Sequence, residues 1–278
     1  MKNRSKYCKI LFALLLPPLL IFTQINLVAD QLLDPPICLK NGAGINKPEN
    51  NEIEELKVDC AFSIGGWCIC AQYLQNNNLR KTASPLDWVR RCSLDAVANL
   101  FETKFKYFFT NISVVNKKNE HGMRTIYDMK NHIESIHYMP YDVPFDQACQ
   151  EFREKMQKRA KKIDTILSNS ESVLLLNCRN NPETIDKDST DAELKKFAKR
   201  FSKIYPNLKK IYLIDIHNDD SMQIHKKIIY QNRKIKIIQY RFKNIDRQNF
   251  YPIWLGNQKA WGTIIKHISL TNPDACYD

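Results

Sequence analysis

The chain has 278 residues, of which 44% are hydrophobic and 26% are charged, and its formal net charge is +12. This length is enough for one large domain or two small ones with a hydrophobic core. The low counts of 7 Gly and 12 Pro exclude a collagen-like or low-complexity chain, and the hydrophobic content excludes general disorder. The sequence therefore predicts a folded globular domain.

The first 29 residues have the layout of a secretory signal peptide. An apolar run over 10–22 is interrupted by Pro17-Pro18 and is shorter than the roughly 20 residues that a spanning helix needs. Four basic residues precede it: Lys2, Arg4, Lys6 and Lys9. We expect cleavage after Ala29 and a secreted or periplasmic protein. The alternative is a chain that stays anchored in the membrane through residues 10–29.

The next segment, 30–57, carries prolines, asparagines and acidic residues without a sustained apolar period. This composition predicts a linker or pro-segment. The folded domain is therefore expected to cover residues 58–278.

Apolar runs and helical spacing predict an alternation of strands and helices along this domain. Strands separated by helices are typical of βαβ units. We therefore predict an α/β (or α+β) single domain with a mainly parallel central sheet flanked by helices. The expected strands are 58–64, 173–176, 211–216 and 235–242, and the expected helices are 67–74, 93–108, 145–167, 192–204 and 222–230.

Many of the Lys and Arg residues lie between Arg153 and Arg247, which raises the question of a nucleic-acid surface. No recognition motif accompanies them, and no aromatic residues are interleaved as a stacking platform requires. We interpret them as a solvated surface and expect no nucleic-acid partner. The oligomeric state is left open.

Cys68 lies where a predicted strand, a Gly65-Gly66 break and a predicted helix follow one another. Free N–H groups and the positive end of a helix dipole stabilise a thiolate at such a position. The same groups can hold the oxyanion that forms when a thiolate attacks a carbonyl. Two alternatives fit these residues: Cys68 and Cys70 as small buried side chains, and Gly65-Gly66 as a phosphate cradle.

A thiolate nucleophile also needs a base. His137 comes just before the long predicted helix, and His217 closes the strand 211–216 at a carboxyl end, where α/β proteins place their sites. Spacing alone does not choose between the two histidines.

The chain reads S-x-G-x-x-C-x-x-A-x-x-L over 63–74, L-R at 79–80 and S-P-L-D-W at 84–88. This pattern resembles a bacterial family described as putative papain-like cysteine peptidases, and the resemblance covers about 58–265. Two positions depart from the family: Leu86 replaces a usual Phe, and Tyr138 replaces an Asp that often follows the histidine.

The resemblance implies a cysteine hydrolase, a thiol protease or amidase, that acts on a peptide or amide. Cys68 would be the nucleophile and His137 the general base. Asp87 is expected to be the orienting or structural acid, with Asp215 as the alternative acid. The turn around the thiol, with its oxyanion contacts, would be shaped by Ser63, Gly65, Gly66 and Trp88. No metal and no cofactor are expected.

Two other functions stay open on the same sequence. One is a sugar- or nucleotide-binding α/β protein, such as a glycan-processing transferase, that uses Gly65-Gly66 for a phosphate. The other is an effector domain that has the fold without the chemistry. In an exported chain Cys68 would stay free, while bridges are open to the other cysteines: Cys38, Cys60, Cys70, Cys92, Cys149, Cys178 and Cys276.

Overall fold

The computed structural model describes residues 52–90, 92–179, 190–244 and 255–273. The predicted signal peptide and most of the predicted linker lie outside these ranges. The helices of the described residues are α1 (Cys68–Asn76), α2 (Leu94–Glu102), α3 (Phe145–Asn169), α4 (Asp191–Ile204) and α5 (Gln258–Ile265).

The strands fall into three sheets. The five-stranded sheet contains, in spatial order, β2 (Cys60–Ser63), β7 (Ser172–Arg179), β8 (Lys210–Asn218), β10 (Ile235–Phe242) and β9 (His225–Gln231). The four-stranded sheet contains, in spatial order, β3 (Val89–Arg90), β6 (Ile133–Pro140), β5 (Met123–Asp128) and β4 (Ile112–Asn116). A two-stranded parallel sheet contains β1 (Leu56–Val58) and β11 (Ile268–Leu270).

The central five-stranded sheet confirms the predicted α/β architecture. Strands β2, β7, β8 and β10 run parallel, and only the edge strand β9 is antiparallel. Helices cover both faces, which is why β7 is apolar and buried from Val173 to Leu176. Along that strand Leu175 faces the core under α2, α3 and α4, while Leu174 faces the core under α1 and α5.

The long helix α3 confirms the prediction from its apolar spacing. Its stripe of Phe152, Met156, Ala160 and Ile163 is buried in the larger of the two cores. This stripe belongs to the core because residues three and four apart share one face of a helix.

The antiparallel sheet of β3 to β6 was not predicted. Strand β3 has two residues, too few to show any alternation, and β4 is largely exposed, so neither shows an apolar period. This sheet has a functional consequence, because β6 carries His137.

The helix predicted over 222–230 is wrong, because this segment contains the strand β9. It pairs antiparallel with β10 through a tight turn, where Asn232 Oδ1 accepts from the backbone N–H groups of Lys234 and Ile235. Two consecutive β-branched residues, Ile228 and Ile229, suit an edge strand whose faces differ in exposure. Pairing with a strand that follows in the chain overrode the helical spacing.

Two other predicted elements differ in extent. The helix predicted over 93–108 ends at Glu102, because Lys104 and Phe105 take positive φ angles that a helix cannot contain. The strand predicted over 58–64 is divided at Asp59 into β1 and β2, which belong to different sheets.

Among the six cysteines of the described residues, five are free thiols: Cys60, Cys68, Cys70, Cys149 and Cys178. Cys38 and Cys276, which the sequence also left open for bridging, lie outside the described residues. Within the described ranges, the model contains no helix that is both long and apolar enough to span a membrane.

Trp261 joins α5 to α1, the helix that begins with Cys68. Its fully buried ring stacks on Tyr73 at 4.4 Å between centroids, and its Nε1 donates to Asn244 Oδ1 at 2.8 Å. We expect Trp261→Ala to lower the free energy of unfolding by about 3–5 kcal/mol, because it leaves a cavity and removes one of the hydrogen bonds to Asn244 Oδ1. Trp261→Phe should lower the free energy of unfolding clearly less than Trp261→Ala does.

The measurement is urea unfolding, with Met222→Ala as the control. Met222 is 73% exposed, so its truncation should change stability by no more than about 0.5 kcal/mol. A Trp261→Ala protein as stable as the Met222→Ala protein would contradict the anchoring of α1 through α5.

Candidate active site

The turn between β2 and α1 is built from two glycines with positive φ, +94° at Gly65 and +87° at Gly66. A Cβ at Gly66 would lie 2.4 Å from the carbonyl oxygen of Cys178, and a Cβ at Gly65 would lie 3.1 Å from Cys92 Sγ. Ser63 Oγ accepts a hydrogen bond from the Gly65 N–H at 3.4 Å. Only glycine fits both the dihedral angles and the space, so the chain enters α1 in one defined direction.

Cys68 is the first residue of α1 and is partly exposed. Trp67, the residue that precedes the helix, provides no side-chain cap, and the first turn of the helix contains no acidic residue. The Cys68 sulfur instead interacts with the backbone N–H groups of Cys68 and Ile69. By contrast, Cys70 is fully buried and takes the packing role that the sequence left open for both cysteines.

The balance of forces on the Cys68 thiol favours its neutral form at rest. Burial is the largest influence and raises the pKa of Cys68, while the two backbone N–H groups and the charge of Arg90 lower it in part. Groups that would stabilise an anion are therefore in place before any anion forms.

His137 lies on β6 and is also half-buried. Its imidazole meets the ring of Trp88 edge-on, with centroids 5.5 Å apart, and stacks on the ring of His121 at 5.2 Å. Burial lowers the pKa of His137, and the charges of His121 and Arg90 lower it further. Both influences favour the uncharged imidazole.

Strand β3 connects the surroundings of Cys68 with those of His137. Val89 lies 3.8 Å from the Cβ position of Gly65, and its neighbour Trp88 touches His137. Arg90 donates to Glu134 on β6, from Nε at 3.1 Å and from Nη2 at 2.5 Å. The sequence analysis missed Arg90, Glu134 and His121, since no motif marks them and only pairing of β3 with β6 reveals the ion pair.

Asp87 is buried beside this site, but its carboxylate is directed elsewhere. Its Oδ2 accepts from Arg80 Nε at 2.8 Å and from the backbone N–H of Ser84 at 2.7 Å. Burial raises the pKa of Asp87, and Arg80 opposes that rise. Among the described residues no carboxylate is hydrogen bonded to His137. Of the two roles that the sequence left open for Asp87, these contacts correspond to the structural one.

Asp215 lies on β8 in the middle of the parallel sheet and is fully buried. It pairs with Arg179, whose Nε donates to Oδ1 at 2.9 Å. The amides of Asn177 and Gln239, on the strands at either side, donate to the same carboxylate at 2.9 Å and 3.0 Å. The carboxylate thereby joins three neighbouring strands.

His217, the other histidine considered as a base, closes β8. Strand β7 lies between β8 and β2, so His217 is two strands, or roughly 10 Å, from the strand that leads into the Gly65-Gly66 turn. Its Nδ1 is buried and has no hydrogen-bond partner among the residues that the structure describes. The position of β3 beside the turn therefore favours His137 over His217.

A family described as putative papain-like cysteine peptidase matches residues 59–204, more than half of the 278 residues. The chain belongs to this family. The papain-like match contains Cys68, Asp87, Arg90 and His137 and ends before Asp215. No curated protein and no solved structure matches the chain. The described residues contain no group of three or more His, Cys, Asp or Glu placed to hold a metal ion.

Gly66→Ala should destabilise this papain-like protein by more than about 2 kcal/mol, since left-handed strain of about 1–2 kcal/mol adds to the clash with the Cys178 carbonyl. Gly122→Ala is the matched control, because Gly122 has a φ of +70° and no atom within 4 Å of its Cβ position. Urea unfolding measures both variants. If Gly66→Ala and Gly122→Ala lowered the free energy of unfolding equally, the close approach of β7 to Gly66 would add nothing to the backbone strain.

Arg90→Gln should raise the pH midpoint for alkylation of Cys68 by iodoacetamide, because the charge that favours the thiolate is removed. Arg90→Lys should have a pH midpoint close to that of the original protein. Arg233→Gln, the same change at an exposed arginine in the turn before β10, should leave the midpoint unchanged. Peptide-level mass spectrometry follows Cys68 alone.

A double variant, Arg90→Gln with Glu134→Gln, guards against unfolding caused by an unpaired buried carboxylate. It should show the same raised midpoint with stability restored. If Arg90→Gln and the double variant both kept the original midpoint, the charge of Arg90 would not act on the Cys68 sulfur.

Proposed function

We propose that this protein is a cysteine hydrolase that cleaves a peptide or amide bond, with Cys68 as the nucleophile and His137 as the general base. One observation carries the proposal. In a chain of the papain-like family, a partly exposed cysteine faces backbone N–H groups at a helix N-terminus that has no side-chain cap. A thiol in this position can be alkylated or acylated, while its charge is stabilised by the helix.

The reaction starts from a neutral thiol and a neutral imidazole. His137 takes the proton of Cys68 as the sulfur attacks the carbonyl carbon, and the carbonyl oxygen becomes an oxyanion. The oxyanion is stabilised by backbone N–H groups at the start of α1. The tetrahedral intermediate collapses to a thioester as His137 gives its proton to the leaving amine. Water then attacks the thioester with His137 as base, releasing the acid and restoring the thiol.

Arg90 has an electrostatic part in this mechanism. Its guanidinium is held against Glu134, whose side chain is 3% exposed, and its charge acts on both reacting groups. It favours sulfur in the anionic form and opposes a charged imidazole before substrate binds. Because Asp87 and Asp215 bind arginines, we assign both to the support of the fold around the site.

The alternative of a phosphate-binding protein is less well supported. The space beside Gly66 is bounded by the carbonyl oxygen of Cys178 and by Asn177 Oδ1. Both atoms are hydrogen-bond acceptors, whereas a phosphate cradle requires N–H donors. The other alternative, an effector domain without chemistry, keeps the same fold and is separated by the activity of a Cys68 variant.

We also propose that the protein is secreted or periplasmic, on the strength of the signal-peptide layout over residues 1–29. The alternative is anchoring through residues 10–29. N-terminal sequencing of the protein from its native host tests this. A chain that begins near residue 30 would agree, and an intact N-terminus in a membrane fraction would contradict secretion.

Cys68→Ala and Cys68→Ser should abolish hydrolysis of a mixed peptide library, and His137→Ala should lower it by about 10²–10⁴-fold. Cys149→Ala, the matched change at a buried thiol on α3, should retain activity. Mass spectrometry of the products gives the cleaved bonds. Hydrolysis by the Cys68→Ala variant would contradict the proposal. The proposal would also be contradicted if the original protein cleaved no peptide in the library while its Cys68 could still be alkylated.

The two pKa directions also predict the pH dependence of the thiol. Burial raises the pKa of Cys68, so its alkylation midpoint should lie above the value of about 8.5 for a free thiol. Burial lowers the pKa of His137, so the acid limb of the pH–rate profile for hydrolysis should have its midpoint below about pH 6.5. A midpoint below 8.5 would indicate a stable thiolate–imidazolium pair instead.

A further inference from the structure

A second histidine touches the candidate base. His121 lies in the turn between β4 and β5, and its ring stacks on the imidazole of His137 at 5.2 Å with 28° between the planes. His121 is exposed, whereas His137 is half-buried. Trp88 touches the same imidazole at an interplanar angle of 72°. Two rings therefore restrict the plane in which His137 lies.

This contact matters because the described residues provide no carboxylate that orients His137 by a hydrogen bond. Asp87, the residue expected to do so, binds Arg80 and the Ser84 N–H. In the common catalytic triad a third group fixes the orientation of the base. Here the ring contacts are the available means of fixing it.

We propose that His121 is a positioning residue for the reaction: its ring holds the His137 imidazole in place, and a positive charge on that ring opposes a second one on His137. The inference rests on the proposed function, in which His137 is the general base. It gives a role to a surface histidine that no motif indicates.

The electrostatics follow from the groups that face His137. Two imidazolium rings at this separation repel each other, so the pair accepts one proton more readily than two. His121 is exposed, and its Nε2 lies 3.5 Å from Glu120 Oε1. From β3, Arg90 adds a further positive charge that is bound to Glu134 of β6.

The other neighbours of His137 contribute little net charge. Tyr138, next along β6, accepts a hydrogen bond from Arg159 of α3 at 2.7 Å through its hydroxyl. The charges that act on the imidazole are therefore those of His121 and Arg90, and both of them favour its neutral form. A neutral imidazole is what the base needs when substrate arrives.

The test separates the ring contact from the charge. His121→Phe retains an aromatic ring without a charge, and His121→Ala removes both. NMR titration of the His137 ring Cε1–H should show the midpoint rising by roughly 0.5 in both variants, because a neighbouring cation is lost. At pH 8, His121→Phe should keep kcat within about twofold, whereas His121→Ala should lose about tenfold through misplacement of the base.

His132→Asn is the matched control. His132 lies in the next turn of the same sheet and bonds Tyr127, and asparagine tolerates its positive φ of +56°. It should change neither the His137 midpoint nor kcat. His121→Phe without a rise in the midpoint, or His121→Ala with full kcat at pH 8, would overturn the inference.

The titration needs no substrate, so it stands apart from the test of the proposed function. If Cys68→Ala retained hydrolysis, the peptidase proposal would fail even with a raised His137 midpoint. If Cys68→Ala were inactive and His121→Phe left the midpoint unchanged, only the role of His121 would be withdrawn.

Discussion

The close approach of Gly66 to the carbonyl oxygen of Cys178 fixes where α1 begins. Backbone pairing between β2 and β7 continues to Ile64, whose N–H donates to Leu176, and the two glycines then turn the chain against β7. The thiol of Cys68 comes two residues later, at the first turn of the helix. Any side chain at Gly66 would displace the helix N-terminus and with it the donors that face the sulfur.

A site beside this turn has to reconcile burial with charge. Burial disfavours both the thiolate of Cys68 and the imidazolium of His137, so both groups are biased toward their neutral forms, and a charge that develops on either of them needs fixed groups to stabilise it. The fixed groups that face this charge are backbone N–H donors and the guanidinium of Arg90. Glu134 offsets the charge of that guanidinium and holds its position.

The two sheets have different tasks in this arrangement. The parallel sheet, with Asp215 bonded across three of its strands, provides the rigid support for the turn and α1. The antiparallel sheet brings β3 and β6 to the same place, and with them Arg90 and His137. The turn between β4 and β5 adds His121. The candidate site therefore lies where a helix N-terminus of one sheet meets side chains of the other.

The sequence by itself determined the parallel strands, the helices α1 to α4 and the position of Cys68, because these depend on apolar periods and on glycines close together in the chain. It did not determine strand β9, whose pairing with β10 overrode a helical spacing. Nor did it indicate Arg90, Glu134 or His121, which act through neighbours on other strands. Asp87 shows the same limit: its motif marked an acid, and only the tertiary structure decided that this acid binds Arg80, because hydrogen-bond partners depend on where distant segments pack.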